Sequence, residues 1–286
     1  MPFMTFRFAS KNGRAHLVVG PDNRLVDLAE ASQGKFTSEP IDAFRQWNEV
    51  REFASTVAPD AGATCDVNEL DAPSPWPTQV FGIGLNYRSH AEESGLPIPN
   101  APLTFTKFSS SVAHGNADIP VAGTMVDWEV ELVVVISDGG RNISRDDAWN
   151  HVAGIAVGQD ISDRALQFAS QPPQFSLGKS RQNYSPFGPW LIDARSVANR
   201  DELHMTCTLN GETVQDTNTN DLIFNVSDIV SYLSEIVQLL PGDVIFTGTP
   251  GGVGVSRKPQ IFLKPGDVLV STIDGIGTTT NRCVAG

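Results

Sequence analysis

The sequence has few cationic side chains and few cysteines. Its 286 residues include 20 Lys and Arg against 33 Asp and Glu, which gives a formal net charge of −13. Binding to nucleic acid or to an anionic membrane surface needs clustered basic residues, so this balance argues against both classes of partner. The cysteines Cys65, Cys207 and Cys283 lie far apart and are odd in number, which favours a reducing compartment over a disulfide framework.

Long hydrophobic runs are also missing. No stretch is long and apolar enough to cross a membrane, and the N-terminal segment MPFMTFRFASKNGR contains no apolar region typical of a secretion signal. We therefore expect a cytoplasmic protein. Hydrophobic residues make up 40% of the chain, so a substantial core can form.

Common nucleotide-binding and catalytic motifs are incomplete. GIGLNY at 82–87 begins like a dinucleotide-binding loop, but Tyr87 stands where the third glycine is needed. LGKS at 177–180 resembles the end of a phosphate-binding loop, but Pro173 occupies the position of an essential glycine. There is no G-x-S-x-G element, and the His and Cys residues are not clustered as in a structural zinc site.

Apolar runs bounded by turn residues predict a fold that is mainly β. Near the N-terminus, short strands are expected in MTFRFAS, HLVVG and RLVDLAE, followed by a helix in PIDAFRQWNEVREFAS. The proline-rich segment DAPSPWPTQV indicates a boundary. We therefore expect a small N-terminal α+β domain at 1–73 and a larger domain at 74–286.

The larger domain is predicted to contain many strands and few helices. Its strand-like segments are TFTKF, EVELVVVI, AGIAVGQD, WLID, MTCTLNG, DVIFTG and DVLVSTIDG. Helical spacing is found in RDDAWNHVA and in SDIVSYLSEIVQLL, the latter with Ser227 as the expected N-cap and Leu240 on its apolar stripe. The regular strand–helix alternation of a doubly wound sheet is missing, so the predicted class is α+β, mainly β.

Two glutamates stand at the head of an apolar strand in DWEVELVVVI. Glu129 and Glu131 point to the same side of that strand, where contact with water would be a sufficient explanation. However, LVVVI is apolar on both faces, as in a strand covered on both sides, and buried carboxylates are costly unless a cation neutralises them. A second apolar run, VAGIAVGQD, ends in Asp160. Three carboxylates would offer only hard oxygen ligands, which favour Mg²⁺ or Mn²⁺, with Ca²⁺ as an alternative. Asp127 is not assigned a ligand role.

Other polar residues could complete a site. His90 and Glu93 are three residues apart in SHAEESG, so on a helix the carboxylate could orient the imidazole as a water-activating base. A solvated loop histidine is the alternative, and His114 is a weaker second candidate for the base. Lys179 is the best candidate for stabilising an anionic substrate or enolate, and Lys107 could face the same pocket, although exposed lysines would explain both.

Five blocks, in this order, resemble the fumarylacetoacetate hydrolase family. They are NYRSHAEE at 86–93, E-x-E at 129–131, QDISDRALQ at 159–167, GKS at 178–180 and TGTPGGVG at 247–254. The resemblance covers roughly residues 74–286 and implies a mixed β-sandwich roll in which 74–286 is the catalytic domain. QVFGIGLNY lacks the fourth carboxylate of the eukaryotic hydrolases, so the chain is similar to the smaller prokaryotic-type members.

The resemblance also implies a ligand set, an activity and a homodimer. The implied metal ligands are Glu129, Glu131 and Asp160, the implied catalytic residues are His90, Glu93 and Lys179, and the candidate substrate contacts are Arg88, Lys107, Arg164, Gln167 and Thr249. The expected reaction is metal-dependent hydrolysis of a C–C bond in a 2,4-dioxo, acylpyruvate-like acid through a metal-stabilised enolate, with water activated by His90 and Glu93. The alternatives are an oxaloacetate-like decarboxylase, an enol–keto isomerase of 2-oxo acids, and a non-catalytic metal-binding protein.

Overall fold

The protein is described here by a computed structural model that covers residues 6–286. The strands, in chain order, are β1 Arg7–Lys11, β2 Arg14–Val19, β3 Arg24–Asp27, β4 Ala63–Thr64, β5 Val80–Gly84, β6 Leu103–Lys107, β7 Val112–His114, β8 Ile119–Val121, β9 Val126–Asp127, β10 Val130–Ile136, β11 Val152–Gln159, β12 Ser162–Asp163, β13 Ser185–Asp193, β14 His204–Leu209, β15 Glu212–Asn218, β16 Val244–Phe246, β17 Val268–Ile273 and β18 Gly277–Ala285. The helices are α1 Leu28–Ala31, α2 Pro40–Arg45, α3 Trp47–Ala54, α4 Arg88–Ser94, α5 Arg164–Gln167, α6 Phe175–Gly178 and α7 Val226–Ile236. The first predicted strand, MTFRFAS, includes residues 4 and 5, which lie outside the described residues.

The strands form two large sheets. The first runs in the order β4-β3-β2-β1-β13-β11-β10-β16-β5-β6, with β7 also paired to β13, and the second runs β15-β14-β17-β18-β8. Most pairs are antiparallel, but β16 with β5, β13 with β7 and β18 with β8 are parallel. This mixed, mainly β architecture with few helices confirms the predicted fold class.

Strand β10 lies inside the protein and is covered on both faces. Its alternate residues Val130, Leu132 and Val134 pack in a core with α7 and the second sheet. Val133 and Val135 point the other way, into a second core that contains aromatic residues of the N-terminal segment. The prediction that LVVVI is a doubly covered strand is therefore confirmed, and the strand forms a rigid base for the acidic residues at its head.

The N-terminal segment joins the same sheet and core as the rest of the chain. Strand β1 pairs with β13, with Phe8 opposite Leu191. The indole of Trp47 donates to Asp193 at 3.1 Å, and the guanidinium of Arg51 lies 2.8 Å from the same carboxylate. Strand pairing thus crosses the predicted boundary at 73/74, and the two-domain division stays a prediction.

Four details of the helix predictions are wrong, three of which concern helix length. The helix expected in PIDAFRQWNEVREFAS is divided into α2 and α3, because Gln46 adopts φ −122° and ψ 32°. RDDAWNHVA forms only a short 3₁₀ turn, Ala148–His151, because β11 begins directly after it at Val152. Leu240 lies beyond the end of α7, where its N–H donates to Asp243 in the PGD turn.

The N-cap of α7 is Asn225 and not the predicted Ser227. The Asn225 side chain accepts the N–H of Asp228 at 3.0 Å, and the Asp228 carboxylate accepts the N–H of Asn225 at 3.2 Å. This reciprocal pair is a capping box, which satisfies two N–H groups at the start of the helix. Among residues 6–286, no helix is long and apolar enough to cross a membrane.

We predict that Asn225→Ala lowers the free energy of unfolding by about 1 kcal/mol. The substitution removes the side-chain oxygen that accepts the N–H of Asp228 and so breaks the reciprocal capping box. Denaturant unfolding followed by circular dichroism measures the loss. Ser227→Ala, two residues further along the same helix, is the matched control and should leave the unfolding free energy nearly unchanged. An equal loss in both variants would contradict the assignment of the cap.

Candidate active site

The antiparallel register of β10 and β11 brings three acidic residues together. Val130 pairs with Gln159, and the N–H of Asp160 donates to the carbonyl of Glu129 at 2.9 Å. As a result, Glu129, Glu131 and Asp160 each offer an oxygen within 4.8 Å of the other two. Their exposed fractions are only 5%, 1% and 1%. We call these three residues the carboxylate triad.

Three cationic side chains surround the triad. Lys179 Nζ lies 2.6 Å from Glu129 and 2.8 Å from Asp160. Lys107 Nζ contacts Asp160 and donates to the carbonyl of Tyr184 at 2.9 Å. Arg164 bridges outward, at 2.7 Å from Glu129 and 2.9 Å from Asp127. These contacts compensate most of the cost of burying the carboxylates.

Glu131 is the member of the triad without a basic partner. Its carboxylate accepts the N–H of Gly248 at 2.7 Å, and no ion pair to it occurs within residues 6–286. Burial together with the charges of Asp160 and Glu129 raises the pKa of Glu131 well above its ordinary value. For Glu129, burial also acts to raise the pKa, but Lys179 and Arg164 outweigh it and lower that pKa to about 2.

The two lysines also have pKa values shifted in opposite directions. Burial and the nearby charge of Lys179 lower the pKa of Lys107, despite the attraction of Asp160. For Lys179, burial is outweighed by Asp160 and Glu129, which raise its pKa, so this side chain is firmly cationic. Of the two lysines, Lys179 is therefore the stronger candidate for holding an anionic substrate, and that role stays a prediction.

The triad fits a divalent cation in both charge and chemistry. With Asp127 included, four buried carboxylates stand against three cations, which leaves one excess negative charge. That excess falls on Glu131, since no basic side chain of the described residues pairs with it and its partner is a neutral N–H. Three clustered carboxylates present only oxygen ligands, which suit Mg²⁺ or Mn²⁺. These residues could hold a divalent metal ion.

A histidine–glutamate pair lies on the short helix α4. His90 Nδ1 is 3.1 Å from Glu93 Oε1, and Glu93 Oε2 accepts the N–H of Gly252 at 2.7 Å. Burial acts to raise the pKa of Glu93, but His90, Gly252 and Ser256 together lower it, so the carboxylate is ionised. An ionised carboxylate can only accept, so His90 Nδ1 donates and Nε2 remains available as a base.

One member of each group, Glu129 of the triad and His90 of the pair, lines a single cavity of about 210 Å³. Its polar lining includes His90, Glu129, Arg164, Gln167, Lys179 and Thr249. Its apolar lining includes Ile83, Leu96, Leu103, Phe105, Phe168 and Phe175. The segment after Gln167 therefore contributes Phe168, Phe175 and Lys179 to the lining. His90 and Glu129 border the same cavity, so the candidate base faces the edge of the triad that Glu129 forms.

Of the remaining predicted substrate contacts, two border the cavity and two do not. Gln167 accepts from Arg164 at 3.0 Å and borders the cavity, and Thr249 donates to the carbonyl of Val130 at 3.0 Å beside the triad. Arg88, in contrast, donates to the carbonyls of Asp221 and Leu222 and does not line the cavity. Lys107 is buried, contacts Asp160 of the triad and does not line the cavity.

His114 lies on β7, outside the cavity lining.

Two supporting residues were not predicted from the sequence. Asp127 accepts the N–H groups of Gly254 and Val255 at 2.7 and 3.0 Å while it holds Arg164, so it positions the site without joining the triad. Gln215 accepts the N–H of Val130 at 3.0 Å and donates to Thr249 at 2.9 Å. Asp127 lies two residues before Glu129, whereas Gln215 lies 85 residues beyond Val130 and carries no local pattern that marks it.

Comparison with known proteins decides the family. A profile described as "Fumarylacetoacetate (FAA) hydrolase C-terminal" matches residues 79–284. The chain belongs to the fumarylacetoacetate hydrolase family. As a member of this family it is an enzyme, which confirms the resemblance seen in the five sequence blocks.

Individual relatives of this family member carry different activities in their names. The human mitochondrial oxaloacetate tautomerase FAHD2B is 42% identical over 215 residues, which are 74% of this chain and 68% of the relative. The crystal structure of a Mycobacterium smegmatis protein described as HpcE is 48% identical, with a TM-score of 0.92 over 98% of this chain and 99% of that one. A fumarylpyruvate hydrolase from Pseudomonas aeruginosa, solved with Mn²⁺ and pyruvate, is 32% identical, with a TM-score of 0.66 over 73% of this chain and 91% of that one.

We predict that Glu131→Gln affects the stability of the folded protein in opposite directions with and without a divalent cation. In the metal-free protein, the pKa of Glu131 is higher in the folded state than in the unfolded state. Glu131 therefore costs no stability below the ordinary pKa of glutamate, and it destabilises the fold increasingly as pH rises toward the folded-state pKa. At neutral pH the metal-free variant should therefore be at least as stable as the wild type. Saturating Mn²⁺ should stabilise the wild type but not the variant, because only the wild type binds it tightly.

Thermal unfolding in EDTA and in Mn²⁺ measures both effects. Glu92→Gln, an exposed position on the same helix as His90, is the charge-matched control and should behave like the wild type. Equal stabilisation of wild type and Glu131→Gln by Mn²⁺ would contradict a metal site at the triad.

Proposed function

We propose that this enzyme is a divalent-cation-dependent hydrolase that cleaves the C3–C4 bond of a 2,4-dioxo, acylpyruvate-like acid. The observation that carries this proposal is the single cavity lined by Glu129 of the carboxylate triad and by His90, whose ring is held by Glu93. A carboxylate cluster that suits Mg²⁺ or Mn²⁺ fits a 2-oxo acid, since such acids chelate hard cations through two oxygens. A base held by a carboxylate fits the activation of water.

The residues of the site have separable roles in this reaction. A divalent cation held by Glu129, Glu131 and Asp160 would supply Lewis-acid polarisation of the oxo acid. Lys179, which is cationic and borders the cavity, attracts the substrate carboxylate. Thr249 and Gln167 border the same space and are proposed to orient the bound acid. For Arg88 we propose only that it holds α4 in place through the carbonyls of Asp221 and Leu222.

His90 Nε2 takes a proton from water, and the hydroxide adds to the C4 carbonyl. The C3–C4 bond then breaks, its electron pair stays on C3 as the enolate of pyruvate, and the acyl part leaves as a carboxylic acid. A proton returned to C3 gives pyruvate. Glu93 stabilises the imidazolium formed in the first step, since its carboxylate remains ionised at 3.1 Å from the ring.

A second candidate is enol–keto tautomerisation of an oxaloacetate-like acid, or its decarboxylation. The name and 42% identity of the human oxaloacetate tautomerase favour it. A divalent cation held by the same triad would polarise the oxo acid, and His90 would move a proton at C3 without the attack of water. Both candidates use the same base, so the substrate distinguishes them.

We expect the Mg²⁺ or Mn²⁺ enzyme to release pyruvate from acetylpyruvate. Chromatographic detection of pyruvate and acetate measures hydrolysis, while loss of enol absorbance and release of CO₂ from oxaloacetate measure tautomerisation and decarboxylation. Turnover of oxaloacetate without any cleavage of acylpyruvates would contradict the hydrolase and support the second candidate. Absence of turnover on every oxo acid would favour a non-catalytic metal-binding protein.

We predict that His90→Gln lowers kcat by a factor of about 10² to 10⁴ and leaves Mn²⁺ binding intact, because a general base contributes about that much to rate. Steady-state kinetics and isothermal titration with Mn²⁺ measure the two properties. His204→Gln, at an exposed position outside the cavity lining, is the matched control. A kcat for His90→Gln within about twofold of wild type would contradict the role of the base.

The family resemblance also supports a homodimer, and the composition supports a cytoplasmic location. We propose both. Light scattering coupled to size-exclusion chromatography measures the mass in solution, where twice the chain mass of 30.8 kDa is expected.

A further inference from the structure

One wall of the active-site cavity is built from aromatic and aliphatic side chains. Phe105 on β6 packs edge-on against Phe175 on α6 at a ring distance of 5.6 Å, and Phe168 packs against Phe175 at 6.3 Å. Leu103, on the same strand and side as Phe105, borders the cavity as well. We call these four residues the aromatic wall.

Phe168 remains 48% exposed, so part of this wall is open to a ligand.

The cations that line the cavity are already engaged. Within the described part of the chain, the lining contains the cationic side chains Arg164 and Lys179 together with His90. Arg164 pairs with Asp127 and Glu129, and Lys179 pairs with two members of the triad. His90 is held by Glu93. Lys179 Nζ also lies 5.1 Å from the centre of the Phe105 ring, but its charge is already shared by Glu129 and Asp160. No basic side chain of the lining is therefore left without an acidic partner.

The charge of the site also limits the substrate. The four buried carboxylates exceed the three buried cations by one, and a divalent cation would turn this excess into one net positive charge. One oxo-carboxylate neutralises that charge. A second carboxylate of the substrate would face the aromatic wall without a counter-charge, and burial of an unpaired charge is strongly unfavourable.

We propose that the substrate carries its only carboxylate at the oxo-acid end and an uncharged, apolar substituent at the other end, which packs against the aromatic wall. This inference rests on the proposed function and specifies its substrate class: acylpyruvates with an alkyl or aryl acyl group, in preference to oxo dicarboxylates. Phe168 is the specificity-determining residue most open to test, since it is half exposed and its replacement leaves the triad untouched.

The experiment compares two ligands of nearly equal shape in the Mg²⁺-loaded protein. The first is 2-oxoglutarate, and the second is 5-methyl-2-oxohexanoate, in which an isopropyl group replaces the distal carboxylate. Isothermal titration gives Kd for each ligand without any requirement for turnover. The wild type should bind the isopropyl compound about tenfold or more tightly than 2-oxoglutarate, since burial of an apolar group of this size gives at least that factor.

A charge placed in the wall should change this preference. Phe168→Arg supplies a cation at the distal end, so the ratio of the two Kd values should fall by about tenfold or more toward the dicarboxylate. Phe108→Arg adds the same charge at a residue that is 55% exposed and does not line the cavity. This control should keep the wild-type ratio.

Each outcome decides a different claim. Equal or tighter binding of 2-oxoglutarate by the wild type would overturn the apolar-substituent proposal while the 2-oxo acid function stands. The same change of ratio in Phe108→Arg as in Phe168→Arg would overturn the role of the aromatic wall. Failure of both ligands to bind the Mg²⁺-loaded wild type would overturn the proposed function together with this inference.

Discussion

The burial of three carboxylates at the head of β10 and the end of its antiparallel neighbour β11 is the constraint on which this structure depends. Glu129, Glu131 and Asp160 are almost fully removed from solvent, and isolated charges in such a place would be prohibitively costly. The protein compensates them with two lysines and an arginine, but it leaves Glu131 without a cationic partner. An arrangement optimised for stability alone would remove that residual charge or pair it. Its presence is most simply explained by a cation that the protein is built to bind.

The fold makes this burial possible. Strand β10 is covered by a core on each face, so its head cannot move toward solvent to relieve the carboxylates. Its register with β11 fixes Asp160 beside Glu129. Backbone N–H groups of the glycine-rich segment after β16 hold Glu131, Asp127 and Glu93 at once. The same segment therefore couples the triad to the helix that carries His90, so that base and metal ligands are positioned by one continuous piece of backbone.

Much of the site could be predicted from the sequence because its members are close along the chain. The two-residue spacing of Glu129 and Glu131 and the three-residue spacing of His90 and Glu93 specify shared faces of a strand and a helix. The mainly β class followed in the same way from local patterns. Contacts between segments that are distant in the sequence could not be predicted from local patterns. The pairing of β1 with β13, the amide of Gln215 and the turn of Arg88 away from the cavity all depend on tertiary register. The N-cap at Asn225 was missed because several capping residues lie side by side in FNVSD, and only packing selects among them.

The most direct test of the central claim is anomalous scattering from crystals grown with Mn²⁺. One strong peak is predicted, at about 2.0–2.4 Å from an oxygen of each of Glu129, Glu131 and Asp160. In crystals that also contain pyruvate, the oxo-carboxylate should lie at the same ion, on the side that faces His90. A peak bound elsewhere, or no peak at the triad in Mn²⁺-saturated crystals, would contradict the assignment of these carboxylates as the metal centre.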